Sequence, residues 1–181
     1  PATVVDRYGN EEGAWFVVQT LAQGSDRRLP LLVDALVEQF GPTGIIARND
    51  PRVRTLEGLE PRVDVVYGEV PDRIVVEGNG IRFGVDLRHG QKTGLFLDQR
   101  DNHAAAARYA QGEALDAFTY NGGFALHIAR HASSVLALDI SASAVEATAA
   151  NAALNGLTNV EVREANVFDE LRELESSGRR F

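Results

Sequence analysis

A glycine-containing turn and an acidic residue one strand later carry the clearest chemical signal in the sequence. Residues 115–124 (LDAFTYNGGF) read as the end of a short apolar strand and a turn into a helix, and Asp139 follows the next apolar strand, 17 residues after Gly122. In a parallel α/β unit such a turn lies at the carboxyl edge of the sheet, and the acid can accept hydrogen bonds from both ribose hydroxyls of an adenosine. The spacing is close to the ~20 residues of a dinucleotide site. The pattern predicts a nucleotide site, with a plain tight turn and a helix-capping Asp139 as the alternative.

The loop lacks the third glycine of the G-x-G-x-x-G pattern. A nicotinamide or flavin cofactor needs the second glycine for its pyrophosphate and the third for close packing of the helix. An adenosine ligand without a pyrophosphate fits better, and S-adenosylmethionine is such a ligand. An NAD-dependent oxidoreductase stays open as an alternative.

A second polar block lies just before this unit, at residues 90–102 (GQKTGLFLDQRDN). The methionine part of such a ligand carries one carboxylate and one ammonium group. Arg100 and Asp98, near the start of a predicted helix, could hold both. A capped surface helix with solvated charges would explain the same residues.

The elements that position these residues follow from the hydrophobic pattern. Residues 1–21 predict a β-hairpin, and the 3/4 spacing from Leu29 to Phe40 predicts a helix capped by Asp26 and ended by Gly41. Turn residues, including the hairpin signal Gly78-Asn79-Gly80, separate the next short strands. The first half is therefore expected to be a small α+β domain, with further strands at Gly44–Ala47, Val63–Tyr67, Ile74–Glu77 and Ile81–Asp86.

The second half alternates helices and strands, which is typical of a parallel sheet covered by helices. The fold class is α/β: a small α+β middle domain (1–92) followed by a partial Rossmann-like doubly wound parallel sheet (93–181). Asp98 is expected to cap the first helix, and Ser143 to open another through a capping box with Glu146. The predicted strands are Ala114–Phe118, Val135–Leu138 and Val160–Ala165, and the predicted helices are Gln99–Ala110, Phe124–His131, Ala144–Asn155 and Val167–Ser176.

The composition limits the classes of protein and the kinds of site that are possible. The 181 residues are 44% apolar and 24% charged, as in a folded soluble protein, and no apolar run approaches the ~18 residues of a membrane span. The net charge of -8 argues against binding nucleic acid by bulk charge but allows a local basic groove. No cysteine is present, which excludes disulfides, thiolate zinc sites and a cysteine nucleophile within these residues.

Two smaller sets of residues are candidates for binding a phosphate group or a metal ion. The stretch 87–97 contains Arg88, His89 and Lys92 and no acid, so it is the place to expect a phosphate contact, with plain surface as the alternative. The four histidines share no spacing with acids that suggests a metal ion, so no metal site is predicted and solvated or capping roles are expected.

Several motifs are spread over nearly the whole chain. They are residues 92–101 (KTGLFLDQRD), 118–124 (FTYNGGF), 138–141 (LDIS), A-x3-N-x3-NGL at 147–157, and, in the first half, 5–9 (VDRYG) and 41–45 (GPTGI). Together they resemble one enzyme family, the class I S-adenosylmethionine-dependent methyltransferases that modify large-subunit ribosomal RNA. In that family cytosine C5 is the usual target, and a small RNA-binding PUA domain usually precedes the middle domain.

The resemblance implies a binding site for S-adenosylmethionine. Asp139 would hold the ribose and Ile140 would pack on the adenine. The block lining the methionine end would be Asp98, Gln99 and Arg100. The loop under the cofactor would consist of Phe118, Thr119, Tyr120 and Gly122.

Asn166 stands where the family more often has an aspartate that reads the adenine amino group. Its side-chain carbonyl can still accept that hydrogen bond. A helix cap before Val167 is the alternative reading. The resemblance further implies ribosomal RNA as partner and a cytoplasmic enzyme without a membrane association. Arg88 and Lys92, from the basic stretch 87–97, are the residues expected to contact that RNA. A homodimer is left open.

Two departures from the family bear on activity. Methylation at C5 uses a cysteine that adds to the ring, and this chain has none. Methylation of an exocyclic amine would use an Asn/Asp-Pro-Pro-aromatic loop, and no proline follows Pro71. The catalytic residues are therefore expected after Phe181, in a longer enzyme of which these residues alone would be inactive. Base N-methylation and a non-catalytic RNA-binding fragment remain alternatives.

Overall fold

The computed structural model describes residues 2–181, which form two compact units. The first unit consists of the residues up to Val76 together with Val85–Leu95, and the second of Glu77–Gly84 together with Phe96–Phe181. The chain therefore passes between the units three times, at residues 76–77, 84–85 and 95–96.

The first unit is built on a four-stranded mixed sheet of order β1-β2-β3-β4. The β1–β2 hairpin is antiparallel, β3 runs parallel to β2, and β4 pairs antiparallel to β3. The parallel step requires a crossover, which the helical segment between β2 and β3 supplies. The elements are β1 (Thr3–Asn10), β2 (Gly13–Thr20), α1 (Gln23–Asp26), α2 (Leu29–Phe40), β3 (Gly44–Asn49), a 3-10 helix (Arg52–Glu57) and β4 (Arg62–Gly68).

The core of this unit lies between α2 and the sheet. Leu29, Val33 and Leu36 of α2 pack against strand residues that include Phe16 and Ile45. The 3/4 spacing predicted this face of the helix, and Gly41 ends the helix with a left-handed backbone (φ 53°). The predicted α+β architecture of the first half is confirmed.

Residues 85–95 are fixed to the first unit by side chains of β1 and β3. Arg48 donates to the carbonyls of Leu87 and Gly90 at 3.1 and 3.0 Å. The Tyr8 hydroxyl accepts from the Leu95 N–H at 3.2 Å and lies 2.9 Å from the Thr93 hydroxyl.

A β-hairpin connects the units. β5 (Ile74–Gly78) and β6 (Ile81–Val85) form a two-stranded sheet. The turn residues Asn79 and Gly80 both have positive φ, at 52° and 76°, as a two-residue type I′ hairpin turn requires. The sequence signal at this turn predicted the hairpin correctly.

The second unit contains a three-stranded parallel sheet of order β7-β8-β9 with helices on both faces. Ala125 and Ala129 of α4 pack on one face, and Val167 and Leu174 of α6 pack on the other. The predicted α/β class, with its partial doubly wound sheet, is confirmed. The elements are a 3-10 helix (Leu97–Gln99), α3 (Arg100–Ala107), β7 (Glu113–Ala117), α4 (Gly123–Ala129), β8 (Ser134–Asp139), α5 (Ala142–Leu154), β9 (Val160–Glu164) and α6 (Val167–Ser176).

Three predicted helix caps are wrong. Asp26 does not cap α2, because its carboxylate is paired with Arg54 at 3.0 Å and accepts from the Thr20 hydroxyl at 2.8 Å. Asp98 lies inside the 3-10 helix before α3, which begins without a side-chain cap. The cap of α5 is Ser141, which accepts from the Ala144 N–H, rather than Ser143.

Candidate cofactor site

The turn between β7 and α4 has an unusual backbone. Phe118 and Tyr120 have φ values of 65° and 53°, which non-glycine residues adopt only at a cost in energy. Gly122 follows with φ 87°. Two backbone bonds brace the turn: the Thr119 N–H donates to the Leu138 carbonyl and the Gly122 N–H to the Thr119 carbonyl, both at 2.9 Å. Such strained residues persist only where surrounding contacts hold them, and they concentrate at functional sites.

Asp139 connects the end of β8 to this turn. One carboxylate oxygen accepts from the Tyr120 N–H at 2.9 Å, and the other accepts from the Ser141 N–H at 3.0 Å. The side chain is partly exposed. Each carboxylate oxygen can accept a second hydrogen bond, so the geometry leaves capacity for two ribose hydroxyls.

Asp116 holds the turn of the candidate site, and the sequence did not point to it. Its side chain is buried at the end of β7, where one oxygen accepts from the Thr119 hydroxyl at 2.7 Å and from the Ala125 N–H in the first turn of α4 at 2.9 Å. Burial raises the pKa of this carboxyl, and the nearby charge of Asp139 raises it further, against the effect of the two hydrogen bonds. The available signal was an acid within an apolar strand, directly before a turn into a helix.

The two glycines of the turn are required for packing within the chain. A β-carbon on Gly122 would lie 3.0 Å from the Leu126 side chain, and one on Gly123 would lie 2.7 Å from the imidazole of His103. The space beside Gly123 is thus filled by a side chain of the protein itself, that of His103.

His103 and His127 are not the solvated or capping residues that the sequence suggested. His127 is buried, lies 4 residues after Gly123 and donates from Nδ1 to the Gly123 carbonyl at 2.7 Å. The ring of His103 lies 5.3 Å from that of His127 and 4.5 Å from that of Phe124. Burial, with the charge of His127, lowers the pKa of His103 to about 4, although Asp98 opposes the shift. His127 thus bonds to the second glycine of the turn, and the His103 ring packs beside the same glycine.

The carboxyl ends of the parallel strands carry exposed apolar side chains. Phe118 follows β7 and is 56% exposed, and Ile140 follows β8 and is 66% exposed. The ring of Phe118 contacts that of Phe168 at the start of α6, with centroids 5.5 Å apart. Exposed apolar groups beside a polar carboxylate are the surroundings that a purine base and a ribose need.

Asn166 lies at the start of α6 as its N-cap. Its side-chain oxygen accepts from the Phe168 N–H at 3.1 Å. This oxygen keeps a second lone pair, so capping and a contact to an adenine amino group are compatible.

The block at residues 98–100 lies in the same unit as the turn. Phe96, two residues before Asp98, packs edge-on against the Tyr120 ring, with the ring centroids 5.3 Å apart. Arg100 pairs with its neighbour Asp101 at 3.3 Å, and Gln99 donates to Asp98 at 3.4 Å. All three side chains are at least partly exposed.

Arg88 and Lys92 belong to the other unit. Arg88 donates to the Val70 carbonyl at 2.8 Å and pairs with Asp72 at 3.2 Å, so part of its guanidinium is already in use. Lys92 is exposed and has a positive φ of 53°. Among the residues that the structure describes, no group of three or more side chains suited to a metal ion occurs.

Comparison with known proteins decides the family. The family model of S-adenosylmethionine-dependent methyltransferases matches residues 60–178, which is more than half of the chain. The chain belongs to the S-adenosylmethionine-dependent methyltransferase family. The match includes both strand ends at which Asp116 and Asp139 lie.

Curated relatives extend over the whole chain. It is 38% identical to ribosomal RNA large subunit methyltransferase I of Aliivibrio fischeri over 186 residues, covering 100% of this chain and 46% of that protein. It is 39% identical over 187 residues to the protein of the same name from Tolumonas auensis, again covering 46% of it. The chain thus spans about half the length of these methyltransferases.

Solved structures share the methyltransferase fold. A protein from Streptococcus mutans assigned as a SAM-dependent methyltransferase aligns with 98% of this chain and 46% of its own, at a TM-score of 0.79 and 21% identity. A tRNA methyltransferase of M. jannaschii aligns with 91% of this chain and 48% of its own, at a TM-score of 0.68 and 18% identity. Among the described residues, no helix has the length and apolar character needed to cross a membrane.

Proposed function

We propose that this protein binds S-adenosylmethionine and takes part in methylating large-subunit ribosomal RNA. The observation that carries the proposal is Asp139: a partly exposed carboxylate at the end of the second parallel strand, oriented by two backbone N–H groups and flanked by exposed apolar side chains. The names of the relatives, ribosomal RNA large subunit methyltransferase I, supply the substrate class.

The cofactor site is assigned residue by residue. Asp139 accepts from the ribose hydroxyls, Ile140 and Phe118 cover the adenine, and Asn166 accepts from its amino group. The methionine end faces the block at residues 98–100, where Arg100 and Asp98 supply opposite charges with Gln99 between them. Thr119, Tyr120 and Gly122 form the loop beneath. S-adenosylmethionine supplies the electrophilic methyl group, and these residues bind it and set its orientation.

Within large-subunit RNA we propose C5 of cytosine as the methylated atom. A thiol that adds to the ring makes that carbon nucleophilic, and none of the 181 residues is a cysteine, so the thiol would come from outside these residues. Methylation of a base nitrogen is the second candidate. Arg88 and Lys92 are proposed RNA contacts. The division of the chain at residues 92–93, a homodimer and a cytoplasmic location stay predictions.

Titration calorimetry tests the cofactor assignment. Asp139→Ala removes charge-assisted hydrogen bonds to the ribose, so the affinity for S-adenosylmethionine should fall by about 10- to 150-fold. The matched control is Asp169→Asn, an exposed acid on α6 that pairs with Arg172. Unchanged affinity in Asp139→Ala would contradict the ribose assignment.

Two further measurements separate the alternatives. Binding of NADH in place of S-adenosylmethionine would favour an oxidoreductase. Transfer of a tritiated methyl group to unmodified large-subunit RNA, assayed with the protein as it occurs in the cell and followed by mass spectrometry of the nucleosides, distinguishes 5-methylcytosine from an N-methylated base.

A further inference from the structure

One face of α5 is polar although the helix is rich in alanine. Thr148, Asn151 and Asn155 are spaced three and four residues apart, so they lie along the same side of the helix. Thr148 and Asn151 are fully buried. Buried polar side chains are retained only where they are hydrogen-bonded, so the partners of these three residues indicate what the face does.

Two of the three side chains bind the turn between β7 and α4. The Thr148 hydroxyl donates to the Tyr120 carbonyl at 2.8 Å. The Asn151 amide donates to the Asn121 carbonyl at 3.0 Å. The next peptide group towards the N-terminus is held by Asp139, which accepts the Tyr120 N–H at 2.9 Å. Three successive peptide planes are thus each fixed by one side chain.

The same face also binds β6. The Asn151 side-chain oxygen accepts from the Gly84 N–H at 2.9 Å. Asn155 exchanges two hydrogen bonds with the backbone of Arg82, at 2.8 and 2.7 Å, as a neighbouring strand would. The remaining bond of the Asn155 amide goes to the Asn151 carbonyl within the helix, so Asn155 shares the strand contact of Asn151 but bonds to the helix where Asn151 bonds to the turn.

We infer that Thr148 and Asn151 are positioning residues for the cofactor, an inference that rests on the proposed function. Tyr120 is held at a positive φ, and this angle sets the orientation of the peptide groups before and after it relative to each other. The peptide before it carries the N–H that Asp139 accepts, and the peptide after it carries the carbonyl that Thr148 holds. If the second peptide group were free to move, Tyr120 could relax to an ordinary φ, which would displace the first and free the carboxylate to reorient. Thr148 and Asn151 prevent this movement, and so keep Asp139 in the orientation that the ribose needs.

Thr148 allows a sharp test because its hydroxyl and its shape can be separated. Thr148→Val keeps the volume and loses the donor, whereas Thr148→Ser keeps the donor. We expect the affinity for S-adenosylmethionine in calorimetry to fall by about 2- to 10-fold in Thr148→Val, as for one lost hydrogen bond, and to stay near that of the unchanged protein in Thr148→Ser. Amide hydrogen exchange at Tyr120 should speed up in Thr148→Val alone.

Asn155→Ala is the matched control for a purely structural role. It removes two hydrogen bonds from the same helix to β6, so the melting temperature should fall while the affinity stays unchanged. Asn151→Asp, which keeps the acceptor for Gly84 and loses the donor to Asn121, should weaken binding. If that variant does not fold, the comparison of Thr148→Val with Thr148→Ser still tests the positioning role.

The outcomes are distinct. Unchanged affinity and unchanged exchange at Tyr120 in Thr148→Val would overturn the positioning role. An equal loss of affinity in Asn155→Ala would overturn it as well, because the effect would then follow stability alone. An unchanged protein that does not bind S-adenosylmethionine would refute the proposed function instead, and the exchange at Tyr120 would still show whether Thr148 holds the turn.

Discussion

Asp116 links the strand, the turn and the helix of the candidate site through a single oxygen. Both the Thr119 hydroxyl and the Ala125 N–H reach Oδ2. An asparagine with its carbonyl oxygen in that place keeps both bonds and carries no charge. Aspartate, in contrast, must either keep a proton or leave a charge buried.

Asp116→Asn should therefore change the pH dependence of stability. Because the native pKa is raised above 3.8, the folded protein keeps a proton that the unfolded chain has released, and this contribution to the free energy of unfolding falls as pH rises through that window. Measured by urea denaturation, the variant should gain stability relative to the unchanged protein between about pH 4 and pH 7. A difference that is the same at both pH values would refute this account.

The sequence suggests candidate binding residues more readily than the residues that support them. Asp139 could be predicted as a candidate because an acid after a second apolar strand has a known geometry. Asp116 and Thr148 were missed because their roles depend on partners 9 and 28 residues away in the sequence, as in the bonds to Ala125 and Tyr120. Helical or strand periodicity does not report such contacts.

Close packing of α3 against α4 determines which residue can stand at the first position of α4. The ring of His103 on α3 occupies the place of a β-carbon at Gly123, with only 2.7 Å between them. The glycine is thus a requirement of the contact between the two helices.

Gly123→Ala should destabilise the protein by about 1–3 kcal/mol through overpacking. His103→Ala opens the same space, so the double variant should lose less stability than the two single losses combined. Chemical denaturation of the four proteins gives this coupling energy. Additive losses would mean that the methyl group at position 123 is accommodated without displacing His103. Gly24→Ala is the control, because a β-carbon at Gly24 would meet only the end of the Arg28 side chain, at 4.0 Å.

Element boundaries and helix caps differ in how far the sequence predicts them. The predicted positions of strands and helices agree with the structure, because the spacing of apolar residues indicates which face of an element is buried, as in α2. The caps at Asp26 and Asp98 were wrong because both side chains were judged by their neighbours in sequence alone. Asp26 instead pairs with Arg54, 28 residues away.

At the scale of the whole molecule, the charge of -8 opposes binding to RNA, so a local contact must outweigh it. The double variant Arg88→Ala/Lys92→Ala should bind large-subunit RNA more weakly. In a plot of log affinity against log salt concentration, its slope should be shallower by up to about two. Arg172→Ala, a well-exposed arginine on α6, is the control. Filter binding at several salt concentrations with equal slopes for all variants would show that residues 87–97 do not contact RNA.

The division of the β5–β6 hairpin between the units has a consequence for how such proteins can be recombined. Its tip, Glu77–Gly84, belongs to the second unit, while its base belongs to the first. A single crossover between two related genes at residues 95–96 would combine α5 of one parent with the hairpin tip of the other. Asn151 and Asn155 bind the backbone of Gly84 and Arg82, so a foreign tip with the same backbone would keep these bonds. Ile81 and Phe83 are buried, and Phe83 stacks on His127, so these two side chains must suit the new partner as well. Exchange of the second unit between relatives thus depends on eight residues that lie upstream of the junction, and an insertion there would disable a chimaera whose second unit is otherwise intact.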